Sequence, residues 1–287
     1  MLRAKKNKIK KGIFALHEPK TQLKKDIRIK CLLLGGHAHV LNLIIKISFL
    51  LTLVISSSVF AQEKDKYSIG AAYIFGESVY KGAGSIALLA PSLSYEAGPL
   101  KISLPEGISY QIYQIKNIKL STALRPIFAP FDPNDASILN GMKRNESIDL
   151  NLSSSFDIAR GSSLNFSFGS ELSNQHNGDV MNISYQQFMP VAGFPIILSA
   201  GSRWLDSKRS RYFYGVHSSE ARTDRPDYAP GDSHIYFASF NSFYNITDSI
   251  GLIGNFSVNF LPSELIDSPI VGKKISFSTV LGLGYSF

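Results

Sequence analysis

Two closely spaced glycines, Gly82 and Gly84, have the spacing that is most suggestive of chemistry in this chain. The segment Gly82-Ala83-Gly84-Ser85-Ile86-Ala87 has the form of a dinucleotide-binding fingerprint. That mechanism needs a strand before the glycines and a helix N-terminus after them to meet the pyrophosphate. Residues 88–95, which follow, have the composition of a strand. The sequence therefore predicts a flexible loop at these glycines and no nucleotide cofactor.

The histidines and the single cysteine do not form a recognisable site for a metal or a nucleophile. His176, His217 and His234 lack the H-x-x-x-H and H-E-x-x-H spacings of metal sites, and no Gly-x-Ser-x-Gly motif marks a hydrolase nucleophile. Cys31 is the one thiol, so residues 62–287 offer none for zinc or a disulfide. We expect a non-enzymatic protein without a metal or an organic cofactor.

Charged residues within predicted strands are the remaining candidates for chemistry. They are Lys119 and Arg125 on one strand, Asp149 and Asp157 on the next, and Glu171 on the third. If residues 128 and 146 are opposed, antiparallel pairing places Arg125 opposite Asp149, and Lys119 one diagonal from Asp157. These charges are either structural pairs that offset each other's burial or a constriction that selects solutes by charge.

The elements that carry these residues are predicted to be strands. Apolar and polar residues alternate in residues 148–158, 163–169, 250–260 and 275–287, whereas no useful length after residue 66 has helical periodicity. We predict twelve strands, near residues 67–76, 87–97, 99–104, 106–114, 117–128, 146–158, 161–172, 180–189, 195–205, 233–246, 249–261 and 272–287.

The polar face of these strands distinguishes a soluble sandwich or barrel from a membrane barrel. It consists mainly of Ser, Asn, Gly and Gln with few Lys or Glu, which suits a wet lumen better than a solvated outer surface. Strands of about 10 residues cross a bilayer at a tilt of about 45°. The sequence predicts an all-β fold, a transmembrane antiparallel up-and-down β-barrel of about 12 strands over residues 62–287.

Connection lengths agree with this architecture. Short turns alternate with connections that include the long segments 129–145, 206–232 and 262–271. Bacterial barrels have short periplasmic turns and longer outer loops, so we expect both chain termini on the periplasmic side. Leu104-Pro105-Glu106 fits least well, because it leaves a very short outer connection.

The basic character of the chain belongs to its N-terminal leader. The net charge is +8, but residues 1–61 hold 12 of the 30 Lys and Arg and only 2 of the 22 Asp and Glu. The remainder is slightly acidic, which argues against nucleic acid as a partner. Residues 47–60 form an apolar run, so we expect a signal peptide cleaved between Ala61 and Gln62. The basic segment before it is unusually long, and one hypothesis places the true translation start near residues 40–41.

Two aromatic segments are candidates for interaction. Residues 206–232 combine mixed charges with Tyr212-Phe213-Tyr214-Gly215-Val216 and Tyr228. This combination suits lipopolysaccharide headgroups, plugging of the lumen or a partner, and the plain alternative is a solvated loop folded on the barrel mouth. The last strand ends in Tyr285 and Phe287, which resembles the signal read by the barrel-assembly machinery.

Residues 67–287 resemble the MipA/OmpV family of bacterial outer-membrane proteins, also called MltA-interacting proteins. The most telling segments are Tyr212-Phe213-Tyr214-Gly215-Val216 and Tyr228-Ala229-Pro230-Gly231. Residues 91–96, 268–271 and 283–287 add to the resemblance. Asp232 stands where the family has a second glycine, which alters the loop and not the expected fold.

The resemblance implies a twelve-strand barrel in the outer membrane of a Gram-negative envelope. It also implies a non-enzymatic scaffold that joins a murein hydrolase to a murein synthase. Two alternatives stay open, namely a narrow porin-like channel for small solutes and a surface adhesin or receptor that acts through the long outer loops. Conductance measurements distinguish the channel, and binding after deletion of residues 216–230 distinguishes the adhesin.

Overall fold

The computed structural model describes residues 65–287, and the predicted leader with its cleavage site at Ala61 and Gln62 lies outside the described residues. Twelve strands make up most of the described chain. They are β1 (Lys66–Glu77), β2 (Ser85–Ala97), β3 (Leu100–Leu104), β4 (Gly107–Ile115), β5 (Ile118–Ile127), β6 (Ser147–Ala159), β7 (Ser162–Glu171), β8 (Asp179–Val191), β9 (Phe194–Leu205), β10 (Ser233–Asn245), β11 (Ile250–Phe260) and β12 (Ile275–Ser286). Two helices, α1 (Ser207–Tyr214) and α2 (Ser263–Ile266), and two 3₁₀ segments, Ser137–Leu139 and Ser218–Glu220, lie in the connections.

The strands form one closed antiparallel barrel. Each strand pairs with its neighbours in the chain, and β1 pairs with β12 to close the sheet. This seam runs from Ser68 opposite Ser286 to Gly76 opposite Ser278. The predicted twelve-stranded barrel is confirmed, and the strand bounds agree with the prediction to within a few residues. Residues 85–97, after the glycines at 82 and 84, form a strand, so this segment lacks the helix of a dinucleotide site.

Alternation along each strand gives the barrel wall two chemically different faces. Ser68 of β1 lines the lumen together with Ser94 of β2, whereas Tyr67 and Ile69 are about half exposed on the outer face. Because β-strand side chains alternate in direction, the polar set faces inward and the apolar set faces outward. Among the described residues, no helix has the length and apolar character needed to cross a membrane.

The two ends of the barrel differ in the length of their connections. At the short-turn end the strands are joined by residues 98–99, 116–117, 160–161, 192–193 and 246–249. Gly161 and Gly193 adopt positive φ angles of 76° and 85° there, which glycine accepts without steric cost. At the long-loop end the connections are residues 78–84, 105–106, 128–146, 172–178, 206–232 and 261–274.

The buried apolar core lies at the long-loop end and not within the barrel wall. It consists of loop residues and of the strand ends beside them: Tyr80, Phe131, Leu139, Met142, Val180, Leu205, Val216, Ile235, Leu261, Leu265, Ile270 and Val271. The wall itself is held by the ladder hydrogen bonds of twelve strands, so its inward side chains need not form a dry core.

Candidate functional site

The long connections fold into a single packed structure, which we call the dome: residues 78–84, 128–146, 172–178, 206–232 and 261–274. Its core side chains are excluded from solvent, with Leu139, Leu265 and Ile270 fully buried. Neighbouring connections are also joined through their backbones, because Lys81 N–H donates to the Ile270 carbonyl at 2.8 Å. The dome is therefore a built element with its own hydrophobic core.

Helix α1 provides the underside of the dome. It begins after Asp206, whose side chain accepts a hydrogen bond from the Arg209 backbone N–H at 2.7 Å, as an N-cap residue does. It ends at Tyr214, and the N–H of the following Gly215 donates to the Arg211 carbonyl at 2.8 Å. Phe213 and Tyr214, on its last turn, line the space below. This short helix thus connects the dome to the lumen.

The residues of the predicted outer-loop motif lie together in the dome. Val216 and Tyr228 exchange two backbone hydrogen bonds, at 2.8 and 3.1 Å, and the Tyr228 hydroxyl donates to the Glu264 carbonyl at 2.8 Å. The Tyr212 hydroxyl donates to the Asn145 carbonyl at 2.8 Å. The Tyr214 carbonyl accepts a bond from Ser268 at 2.6 Å. These contacts therefore link two parts of residues 206–232 to each other, or link this segment to another connection of the dome.

Gly215 is required by close packing in this motif. A Cβ atom at this position would lie 2.5 Å from the Arg211 carbonyl oxygen and 2.9 Å from that of Tyr228. Both atoms belong to the backbone, so neither moves aside without distorting the dome. In contrast, a Cβ at Gly231 would have no neighbour within 4 Å.

A buried ion pair between Arg144 and Glu220 joins two connections of the dome. The Arg144 guanidinium donates to both carboxylate oxygens of Glu220, at 2.6 and 3.0 Å. It also donates to the carbonyls of Tyr212 at 2.5 Å and of Gly215 at 3.1 Å. Partial burial by itself raises the pKa of Glu220, but the Arg144 guanidinium and the His217 backbone N–H outweigh it and lower that pKa below its usual value. The pair is thus ionised and fully hydrogen-bonded.

Arg225 is a second buried cation of the dome and is bound by backbone carbonyls alone. Its guanidinium donates to the carbonyls of Ile138 at 2.6 Å, Asn140 at 3.1 Å and Glu220 at 2.6 Å. These contacts hold the 3₁₀ segments at 137–139 and 218–220 together. Residues 206–232 fold at the long-loop end and expose many of their side chains, but Arg209 and Arg225 are only 6% and 2% exposed and are not solvated.

Glu171, predicted as a lumen carboxylate, instead organises the connection that follows it. Its carboxylate accepts hydrogen bonds from the backbone N–H groups of Gln175 at 3.0 Å, His176 at 3.1 Å and Asn177 at 2.8 Å. Residues 172–178 turn tightly at the strand end, which brings these three donors to one carboxylate. Glu171 therefore pairs with no cation of the predicted set.

His176 lies in this connection against helix α1. Its ring is 4.8 Å from that of Tyr212 and 5.7 Å from that of Phe213, and its Nδ1 accepts a hydrogen bond from Gly178 N–H at 3.0 Å. Burial, together with the nearby Arg209 guanidinium, lowers the pKa of His176. The imidazole is thus held in its neutral form, as an acceptor at Nδ1 requires.

The predicted register of β5 and β6 is confirmed, but the expected ion pair across it is not formed. Arg125 lies opposite Asp149, and Lys119 opposite Ser155. The Asp149 carboxylate, which is almost fully buried, binds Arg209 of α1 at 2.8 Å instead. The first turn of α1 lies over the end of β6. Gly178 permits this close approach, because a Cβ at Gly178 would lie 2.6 Å from the Arg209 backbone nitrogen.

The other predicted lumen charges form no ion pair among residues 65–287. Arg125 is exposed to the lumen, and Lys119 lines a smaller cavity of about 220 Å³ between β5, β6, β7 and β8. Asp157 is exposed near the short-turn end, at a shift in the register of β6 and β7. The five residues therefore do not form one network of ion pairs. Asp149 and Glu171 bind groups of the dome, and the other three charges remain separate.

A chamber of about 630 Å³ lies in the lumen beneath the dome. Its charged lining residues are Arg125, Arg203 and Arg209, and the rest of the lining is mainly Ser and Asn with a few aromatic and aliphatic side chains. The Arg203 Nε donates to the Asn182 side chain at 3.0 Å, and its guanidinium carbon lies over the Phe237 ring, 5.6 Å from the ring centre. The chamber is therefore polar and cationic.

A second cavity of about 610 Å³ occupies the lumen toward the short-turn end. Ser68, Ser94, Lys101 and Ser286 are among its lining residues. Lys101 forms an ion pair with Glu96 at 2.7 Å. Arg125 lines this cavity as well as the chamber, so its side chain lies where the two spaces meet.

The C-terminal residues expected to direct assembly lie at the short-turn end, on the outer face. Tyr285 is opposite Ile69 of β1, next to the barrel seam. Its ring packs against that of Phe287 with 5.0 Å between centres, and both side chains are exposed. This aromatic pair is therefore available to lipid and to other proteins.

Sequence reasoning missed Arg144 and Arg203, and it missed the partner of Arg209. Arg203 had a detectable signal in the sequence, because every second residue of β9, namely Ser199, Gly201, Arg203 and Leu205, lies on the inward face. Arg144 and Arg209 lie in connections without periodicity, so no pattern indicated their burial.

Among residues 65–287, no group of three or more His, Cys, Asp or Glu side chains is arranged to hold a metal ion.

Comparisons with known proteins agree with this architecture. The family model described as MltA-interacting protein MipA matches residues 69–287. The MltA-interacting protein of Escherichia coli is 25% identical over 85% of this chain and 99% of its own length. The outer membrane protein OmpV of Vibrio cholerae is 24% identical over 63% of this chain and 71% of its own.

Among solved structures, the COG4313 outer membrane channel from Pseudomonas putida F1 covers 81% of this chain and 98% of its own. Its sequence identity is 9% and its TM-score is 0.39. Both sequence relatives given above share most of their length with this chain. The chain belongs to the MltA-interacting protein MipA family and is a β-barrel protein of the bacterial outer membrane.

Proposed function

We propose that this protein is a non-enzymatic organiser of the cell envelope that holds a murein hydrolase and a murein synthase at the periplasmic face of the outer membrane. The observation that carries this proposal is the dome, whose dry core and buried ion pairs cover the long-loop end. A barrel covered in this way acts as an anchored binding body and not as a wide diffusion pore. The name of the Escherichia coli relative, which records an interaction with MltA, supports a murein enzyme as partner.

The orientation of the barrel determines where such partners dock. We place the short-turn end in the periplasm, after export through a signal peptide cleaved between Ala61 and Gln62, because single-chain bacterial barrels keep their short turns on that side. The exposed turn residues Lys116 and Arg160 then face the murein layer. Lipopolysaccharide surrounds the opposite end, where the dome exposes Lys208 and Arg211.

Site-specific crosslinking tests this proposal. A photoreactive residue is introduced at Lys116 or Arg160, with a matched control at Lys208 on the dome, and crosslinked partners are identified from intact cells. We expect murein hydrolases and synthases to be captured from the two turn positions and not from the dome. Capture of neither class from the turns, in cells where the barrel is folded and heat-modifiable, would contradict the scaffold.

A second candidate function, a narrow channel for small solutes, is favoured by the polar cavities that follow each other along the lumen. Single-channel recording in planar bilayers distinguishes it. The scaffold predicts no stable open state for the intact protein, because the dome closes one end. Steady unitary conductance of the intact barrel would favour the channel instead.

Assembly is proposed to begin from the C-terminal strand through contacts with the barrel-assembly machinery. The exposed aromatic pair Tyr285 and Phe287 supports this role. Phe287→Ser should therefore reduce the amount of heat-modifiable barrel in the outer membrane, with Ser286→Ala as the matched control. Normal insertion of the Phe287→Ser variant would exclude the residue as an assembly signal.

A further inference from the structure

We propose that the chamber beneath the dome is a binding site for a small hydrophilic molecule that carries an oxyanion, a carboxylate or a phosphate, and that enters from the short-turn end. This site is separate from the surface on which the proposed protein partners dock. It rests on the charges of the chamber, on its unpartnered buried polar atoms and on its access.

The charges of the chamber favour an anion. Three arginines line it and, among residues 65–287, no Asp or Glu does. The ion pair with Asp149 neutralises Arg209, so Arg125 and Arg203 supply the net positive charge. A cleft with charges of one sign and low-dielectric walls concentrates the opposite ion.

The two remaining guanidinium groups are free to bind a ligand. Arg125 has no hydrogen-bond or ion-pair partner in the described part of the chain. Arg203 uses only its Nε, which donates to Asn182 at 3.0 Å, and its guanidinium lies over the Phe237 ring in a cation–π contact that restrains it. Its two terminal nitrogens are thus oriented and unpaired among residues 65–287. A planar guanidinium fixed in this way suits bidentate binding of a carboxylate or phosphate.

Buried polar atoms without a partner point to the same ligand. Asn151 Nδ2, Ser199 Oγ and Arg209 Nη1 have no hydrogen-bond partner within residues 65–287, and their residues are 8%, 7% and 6% exposed. All three residues line the chamber. Leaving buried polar atoms unpaired is costly. The amide and guanidinium nitrogens can only donate, so a ligand that pairs with them offers acceptor oxygens.

The volume and the uncharged lining residues of the chamber indicate the size and polarity of the ligand, and the connection to the second cavity indicates its route of entry. A volume of about 630 Å³ holds a molecule of the size of a sugar acid or a sugar phosphate, and the Ser and Asn side chains match hydroxyl groups. The dome covers the chamber on one side, whereas Arg125 also lines the cavity toward the short-turn end. A ligand therefore passes Arg125 on its way in.

Calorimetric titration of the full-length barrel in a non-ionic detergent tests the site. The probes are D-gluconate, inorganic phosphate and, as the neutral control, D-glucose. We expect binding of at least one anion, weakened by added salt, and no comparable binding of glucose. Binding of gluconate alone identifies a carboxylate site and binding of phosphate alone a phosphate site. No binding of either anion, or equal binding of glucose, would overturn the proposal.

Two lumen variants and one control locate the binding. Arg125→Gln and Arg203→Gln should each weaken anion binding by about 10- to 100-fold, the usual effect of losing a hydrogen bond to a charged group. Arg211→Gln, an exposed position of α1 that does not line the chamber, should leave it unchanged. Heat-modifiable migration verifies that each variant is folded. Equal affinity in folded Arg125→Gln and Arg203→Gln variants would contradict the assigned site.

A thiol placed in the chamber gives a measurement that needs no natural ligand. In a Cys31→Ser background without other thiols, Ser239→Cys supplies one target in the chamber lining. Its rates with anionic and cationic methanethiosulfonates are compared with those of free cysteine. We expect the anionic reagent to be favoured several-fold at Ser239→Cys, and less so after Arg125→Gln. Preference for the cationic reagent would overturn the cationic chamber.

Discussion

The arginines of the dome loops and the polar side chains of the chamber wall are neighbours, but they differ in how their buried polar atoms are paired. In the dome, Arg144, Arg225 and Glu220 have their buried polar atoms paired with carbonyls or with each other. In the chamber, atoms of Asn151 and Ser199 are equally buried and have no partner among residues 65–287. Unpaired buried atoms also occur in the dome, at His176 Nε2, Arg209 Nη1 and Ser210 Oγ. The contacts of Arg144 and Arg225 therefore stabilise the dome loops, whereas the unpaired atoms of Asn151, Ser199 and Arg209 leave hydrogen-bonding capacity for a ligand in the chamber.

The barrel wall makes this division of roles possible. Its strands are held by backbone hydrogen bonds that close around the whole barrel, so an inward side chain is not needed to hold the fold. The connections have no such ladder. They are fixed by side-chain packing around residues such as Leu139 and Leu265, by ion pairs such as that of Arg144 with Glu220, and by scattered backbone hydrogen bonds.

Removal of Arg144 should produce the largest effect in the dome. Arg144→Met leaves Glu220 without its cation, and the loss of one partner of a buried ion pair costs about 3–5 kcal/mol. We expect the free energy of opening of the dome to fall by an amount of this order. Hydrogen exchange at the amides of Val216 and Tyr228, which pair with each other, measures it.

The matched control is another ion pair of the same end, between Lys273 and Glu77, whose side chains are 41% and 30% exposed. Lys273→Met should change the same exchange rates by less than about 1 kcal/mol in free energy. If both variants had the same small effect, the dome would not depend on its buried pair.

Two glycines of the same loop provide a smaller and purely steric test. Gly215→Ala forces a Cβ against the Arg211 and Tyr228 carbonyl oxygens, and overpacking of this kind costs about 1–3 kcal/mol. Gly231→Ala meets no atom within 4 Å and should leave the dome intact. Rates of limited proteolysis within residues 216–230, compared between the two variants, measure the difference. Equal rates would show that the dome tolerates expansion at its helix end.

Protonation of His176 should weaken the dome by less than either substitution. Burial and Arg209 lower the pKa of His176, against the opposing effects of Glu171, Asp149 and Asp206. The unfolded segment therefore binds the proton more readily, and the stabilisation is lost as the pH falls below the unfolded value of about 6.5. Hydrogen exchange of residues 172–178 at pH 7.5 and 5.5, corrected for the intrinsic rates, should show increased opening at the lower pH.

His176→Asn is the control for this pH dependence. Its side-chain oxygen can accept the hydrogen bond from Gly178 in place of Nδ1, but it does not titrate. We expect the exchange of residues 172–178 to lose most of its dependence on pH between these two values. An unchanged dependence in this variant would assign the effect to another group.

The fold was predictable from the sequence because the barrel follows a short period. Alternation along the strands determined their number, and the opposed pair at residues 128 and 146 correctly placed Arg125 opposite Asp149. Register concerns the backbone, however, and does not determine which side chains pair. Arg209 approaches Asp149 from a loop helix, and no strand pattern contains that contact.

The dome was not predictable for the same reason. Its buried residues, such as Met142, Leu265 and Ile270, come from connections without periodicity. Their burial depends on contacts between connections that are far apart in the chain. Mixed charge in residues 206–232 suggested a solvated loop, but two of the arginines there are buried, because carbonyl and carboxylate groups of other segments surround them.

Arg125 offers the smallest expected effect on stability and the sharpest contrast with Arg144. Since the Arg125 guanidinium has no hydrogen-bond or ion-pair partner among residues 65–287, Arg125→Gln breaks neither kind of contact and should change the free energy of unfolding by less than about 0.5 kcal/mol. Urea denaturation of the detergent-solubilised barrel, followed by circular dichroism, measures it. A loss of several kcal/mol would mean that Arg125 stabilises the barrel as the dome arginines stabilise the dome. An unchanged midpoint together with weaker anion binding would assign the residue to the ligand and not to the fold.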